Sequence, residues 1–121
     1  LVLKQKEEIQ KMQKEIAQQR EEIEELKLAR IKADQKRQDC NRAIRDFEKA
    51  QKLKDPEQAI SLYREGLRLC PDDDVAHYEL GIILVKIGQT KDAEEEFETA
   101  LGINPDFESA RRELKALQEK K

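Results

Sequence analysis

The sequence predicts an all-α protein: an N-terminal coiled-coil helix followed by a short α-solenoid of two helical hairpins and a capping helix. Three observations point there. The first 38 residues contain neither Pro nor Gly, and their aliphatic side chains recur in alternating steps of three and four. The remainder repeats itself at an interval of 34 residues. Charged residues make up 42% of the chain and aromatics only 4%, a balance that suits long helices with much exposed surface.

The stalk is read over residues 1–38. With Ile9 at position a of a heptad, Val2, Ile9, Ile16 and Ile23 fall at a, and Met12 and Leu26 at d, with Gln5 and Gln19 at the other d places. β-Branched residues at a with Leu or Met at d favour two strands, and the seam glutamines weaken the contact, fix its register or shift it towards a trimer. Val2, Ile9, Met12, Ile16, Gln19, Ile23 and Leu26 are therefore the candidate oligomerisation residues. Flanking charges choose the orientation. Glu8, Glu15 and Glu22 hold the g places, and Lys6, Gln13, Arg20 and Lys27 the e places. A parallel pair sets Glu8 against Gln13, Glu15 against Arg20 and Glu22 against Lys27, whereas an antiparallel one opposes like charges. The expectation is a homo-oligomer, a parallel dimer before a trimer; a solitary charged helix is the alternative. Past Leu26 the seam fades through Arg30, Ala33 and Arg37, then resumes at Cys40, Ile44 and Phe47, so one helix can run on into the first hairpin.

Residues 39–121 carry the repeat, divided into a hairpin over 39–71, a second over 72–105 and a capping helix over 106–121. Moved on by 34, Ala59, Tyr63, Gly66, Leu67 and Pro71 land on Ala93, Phe97, Ala100, Leu101 and Pro105. Ala76 lands on Ala110 and Leu80 on Leu114. Gly81 and Ala93 let two helices approach, and Leu80 and Phe97 fill the space between them. Gly88 marks the turn, where a left-handed backbone costs glycine nothing. Pro71 and Pro105 end second helices. Asp55-Pro56-Glu57-Gln58 reads as an N-cap, a first-turn proline and a capping-box glutamine. The first copy departs from the pattern at Phe47, which occupies the Gly81 place; either the turn at Lys54-Asp55 slips by one residue or the hairpin is splayed.

This small–aromatic–small–Pro pattern resembles the tetratricopeptide repeat, a helix–turn–helix unit. The resemblance implies a non-enzymatic protein-binding array whose first helices line a concave groove. Carried over position by position, Ile44, Arg45 and Glu48, with Asn41, Gln51 and Lys52, would line it from the first copy. Tyr78, Glu79, Ile82, Val85 and Lys86, with Val75, would do so from the second. Ile44, Tyr78 and Ile82 stand where relatives that hold chaperone C-termini carry a basic clamp, so the expected ligand is an apolar peptide or helix. The competing expectations are that Ile82 and Val85 simply pack on neighbouring hairpins, or that this face meets another copy of the chain.

Other chemistry is sparse. Net charge is −3, from 24 basic and 27 acidic residues, so no basic field draws nucleic acid or an anionic membrane. No apolar run approaches the roughly 20 residues of a membrane span. Neither a cofactor nor a metal is expected: Asp72-Asp73-Asp74 lacks the glycine and closing glutamate of a calcium loop. The single histidine, His77, stands at a packing position without a nucleophile or paired acid at helical spacing, so no catalytic residue is assigned. Cys40 and Cys70 have neither metal nor redox spacing and are read as free thiols in a reducing, cytoplasmic setting, with a Cys40–Cys40 bridge between subunits as the alternative. The chain opens without a signal-peptide pattern, and its start on Leu1 instead of an initiator Met reads as a segment excised from a longer protein. The functional expectation is a protein-interaction adaptor whose coil sets valency. The alternatives are a scaffold subunit self-assembling through its repeats, or a resemblance to periplasmic envelope-associated proteins that join a trimeric coil to such repeats.

Overall fold

The computed structural model describes residues 2–120, so Leu1 of the expected stalk and Lys121 of the expected capping helix lie outside the described residues. All regular structure among the described residues is helical: α1 (Val2–Lys52), α2 (Pro56–Leu69), α3 (Asp74–Lys86), α4 (Thr90–Ile103) and α5 (Glu108–Glu119). The chain separates into two compact units, residues up to 37 and residues from 38 onward.

Each boundary has a local cause. α1 lacks Gly and Pro throughout and ends in Lys49 and Lys52, cations suited to a helix C-terminus. Pro56 then forces the preceding residue out of the helical region, and Asp55, in extended conformation, accepts a hydrogen bond from the Glu57 N–H at 3.1 Å. Asp73 does the same for α3, accepting from Ala76 N–H at 3.0 Å. Past the end of α3 the chain makes a Schellman turn. Gly88 takes a φ of +84°, its N–H bonds to Val85 at 3.0 Å, and the Gln89 N–H bonds to Leu84 at 2.9 Å. The glycine read as the turn is thus the left-handed one.

In the second unit α3, α4 and α5 stack in sequence, and Tyr63, Leu80, Leu84 and Phe97 are the largest fully buried side chains. Each contributes about 1.5–3 kcal/mol of apolar burial. Asn104, just past α4, donates to Asp74 at the start of α3 over 3.0 Å and so closes the second hairpin at its open end.

The first hairpin is neither slipped nor splayed. Phe47 and Ala50 are buried 34 residues before Gly81 and Leu84, which keeps the register. In the second hairpin the small residue is on the first helix, and the Phe97 ring fills the space where a Gly81 Cβ would lie, 2.5 Å from its Cε1. In the first the small residue is on the second helix: a Cβ on Gly66 would lie 2.4 Å from the Phe47 Cε1. Aromatic and glycine have exchanged helices, and Phe47 stacks on Tyr63 with ring centroids 5.8 Å apart.

The cysteines also depart from expectation. Cys40 and Cys70 are joined in a disulfide within the chain, with their Cα atoms 4.7 Å apart. Neither is a free thiol, and Cys40 does not bridge to its own counterpart. Hairpin packing brings together two residues that their spacing of thirty in sequence gave no reason to pair.

Candidate interaction surfaces

Two surfaces emerge, one in each unit. On the first, the stalk seam of α1 is largely uncovered: Val2, Ile9, Met12, Ile16, Ile23 and Leu26 are exposed, from 46% for Ile16 to 70% for Leu26. Gln19 is exposed with them. Leu3, Leu28 and Ile31 are similarly uncovered but lie off that seam, outside its a and d places. Their spacing, Leu28 and Ile31 three apart, was the available signal.

The second surface is a groove of about 390 Å³ between the end of α1 and α3. Ile44, Glu48 and Gln51 form one wall, Val75 and Glu79 the other, with Phe47 and Ala76 behind them and Asp73 at the end. Glu79 is fixed from two sides. Gln51 Nε2 donates to its Oε1 at 3.2 Å and Oε2 at 3.0 Å, and the Tyr63 hydroxyl donates to Oε2 at 2.6 Å. Burial, and then the Glu79 carboxylate beside it, push the Tyr63 phenol well above its ordinary pKa, so it remains a donor.

The structure therefore brings together Ile44, Glu48, Gln51, Val75 and Glu79 of the expected groove residues. The others go elsewhere. Arg45 and Lys86 are exposed away from it. Tyr78 turns towards α4 and the start of α5, its ring centroid 5.9 Å from that of Phe97 and 5.0 Å from that of Phe107. Ile82 and Val85 are partly buried against the hairpin core, the packing alternative to a groove role. Asp73 and Phe47 enter the groove unforeseen. The sequence offers Asp73 as one of three successive acids and Phe47 as the residue at the Gly81 place, and neither belongs to the carried-over groove positions.

His77 is structural, through hydrogen bonds rather than bulk. Its Nδ1 lies 2.6 Å from Glu96 and its Nε2 2.8 Å from the Pro71 carbonyl. Both partners are acceptors, so the full set of bonds requires the doubly protonated ring. Burial works against that charge, but the Glu96 hydrogen bond, the Pro71 carbonyl and the charges of Glu96 and Asp73 outweigh it, and the imidazole titrates above its ordinary value. Among the described residues no three His, Cys, Asp or Glu side chains are grouped to hold a metal ion. No described helix is long and apolar enough to cross a membrane.

Comparison with known proteins agrees with this architecture. A family model described as "Tetratricopeptide repeat" matches residues 50–120. A Caenorhabditis elegans protein named as a protein O-mannosyl-transferase is 43% identical over 49 residues, 40% of this chain. That stretch is 7% of the relative's own length.

Proposed function

We propose a function on one premise: the chain belongs to the tetratricopeptide repeat family. Such repeats are generally protein-binding modules, and this one reads as an adaptor. Its α1 seam forms a parallel homodimeric coiled coil, and its repeats offer the groove between α1 and α3 to a second protein. Pairing two grooves raises avidity without any new contact. The observation that carries the reading is the exposed seam itself. Six apolar side chains, Val2 to Leu26, stay uncovered on one helical face, and the flanking charges complement each other only in a parallel pair.

The reading is non-enzymatic. The transferase activity named for the relative is not carried over, since the shared stretch is a small part of that protein and repeats of this kind are generally non-catalytic. The disulfide bears on compartment. A cytoplasmic setting was expected on the strength of free thiols, and a persistent Cys40–Cys70 bond instead supports an oxidising one.

Light scattering over a dilution series tests the adaptor. The unmodified chain is expected to hold twice its monomer mass, and an Ile9→Lys, Ile16→Lys chain to run as a monomer with unchanged helical circular dichroism. Equal masses for the two would remove the coiled coil from the proposal. A trimer mass would keep the coil and correct its valency.

A further inference from the structure

The groove has a charge pattern that its walls alone do not require. Ile44 and Val75 are 45% and 49% exposed, large aliphatic side chains that line the groove from α1 and α3 and stay half-uncovered. Between and beside them stand Glu48, Asp73 and Glu79, and no Lys or Arg lines the groove. Arg45, Lys49 and Lys52 are exposed on α1 but do not reach the lining.

Two of the three carboxylates accept hydrogen bonds from neutral groups. Asp73 accepts from a backbone N–H, and Glu79 accepts from the Gln51 amide and the Tyr63 hydroxyl. These bonds hold Glu79 in place from a buried phenol beneath it without cancelling its charge. A carboxylate offers about four lone-pair directions, so a place remains for a donor arriving from the groove. The same side chains are not grouped to bind a metal ion. What is left is an apolar slot with a spread negative rim, complementary to a cation carried next to an apolar side chain.

We propose that this groove takes a partner segment in which a Lys or Arg is flanked by aliphatic residues, the aliphatic side chain seating between Ile44 and Val75 and the cation meeting Glu48 and Glu79. The inference rests on the groove half of the adaptor reading and narrows it to basic–apolar partners. An acidic segment would meet like charges and be turned away. The cation would gain charge-assisted hydrogen bonds to a preoriented acceptor, which favours Arg for its planar fork.

Fluorescence anisotropy on the full chain provides the test, with two labelled synthetic peptides of identical Leu spacing, one carrying Arg at the intervening positions and the other Glu. The Arg peptide is expected to bind at least about tenfold more tightly, and its affinity to fall as salt is raised from about 50 to about 300 mM. Glu48→Gln with Glu79→Gln, which keeps the side-chain shape, is expected to weaken the Arg peptide about fivefold to tenfold. Val75→Ser with Ile44→Ser is expected to weaken it as well. Two peptides that bind alike, both weakened only by the serine pair, would overturn the charge inference and leave the groove standing. An Arg peptide indifferent to both pairs binds elsewhere on the acidic chain, which also overturns it. If neither peptide binds, the groove reading falls together with the inference.

Discussion

The Phe47 ring lies against Gly66 so closely that a side chain of any kind at position 66 would meet it, a Cβ falling 2.4 Å from Cε1. The ring cannot easily retreat, because Tyr63, itself fully buried, stacks on it with ring centroids 5.8 Å apart.

Gly66→Ala should therefore destabilise the protein. Overpacking of about 1–3 kcal/mol outweighs the helix-propensity gain of about 0.8–1 kcal/mol, and the closeness of the contact places the net loss near 1–2 kcal/mol. Gly102→Ala is the control. A Cβ there meets nothing within 4 Å, so the same change on α4 should be neutral or stabilising by up to about 1 kcal/mol. Urea denaturation of both variants checks the pair, and midpoints moving in the same direction would contradict it.

Removing the disulfide should cost more. Closing a loop across a separation of 30 residues restricts the unfolded chain by about 3–4 kcal/mol on the loop-entropy estimate. Cys40→Ser with Cys70→Ser is expected to lower the urea midpoint accordingly, and dithiothreitol to lower that of the unmodified chain but not of the variant. A midpoint in the unmodified chain that ignores the reductant would contradict the bond.

His77 makes stability fall as pH rises. Its folded-state pKa is raised above its unfolded value of about 6.5, so its contribution is complete below that value. The contribution is lost as pH climbs through the folded pKa, when the ring can no longer donate to both Glu96 and Pro71. Comparing urea midpoints of the unmodified and His77→Gln chains across about pH 5.5–8.5 isolates this, and the gap between them should narrow towards the alkaline end. A gap that widens with pH would reverse the assignment.

The orientation of the coil can be read by exchange. In a parallel pair, chains carrying Glu15→Lys repel one another at Arg20, and chains carrying Arg20→Glu repel one another at Glu15. Mixed together they satisfy both contacts, so size-exclusion of the mixture should show a heterodimer that neither chain alone matches in stability. Each pair is worth only about 0.3–0.5 kcal/mol, so the comparison belongs at low salt. No preference for the mixture would argue for another arrangement.

Much of this fold could be read directly from residue spacing. Gly88, Pro71 and Pro105 act through their own backbones and the Asp55-Pro56 pair on the residues beside it, and such effects are local enough to read without distant partners. Phe47 was harder, because its compensation lies nineteen residues away at Gly66, and only packing shows that the two exchange size. Cys40 and Cys70 failed for the same reason: their meeting depends on how closely two helices nest. Within the groove, Ile44, Glu48, Gln51, Val75 and Glu79 followed from the repeat positions carried over by resemblance. Tyr78, Ile82 and Val85 were drawn away by apolar neighbours on α4 and in the hairpin core, which a register count does not weigh.

The position of the disulfide has a mechanical consequence. A chain pulled from its ends passes tension at Cys40 straight to Cys70, so the intervening segment carries no load and cannot lengthen. At about 3.3–3.6 Å per extended residue, the segment across a separation of 30 withholds roughly 100 Å of reach, which a reducing agent would release in a single step.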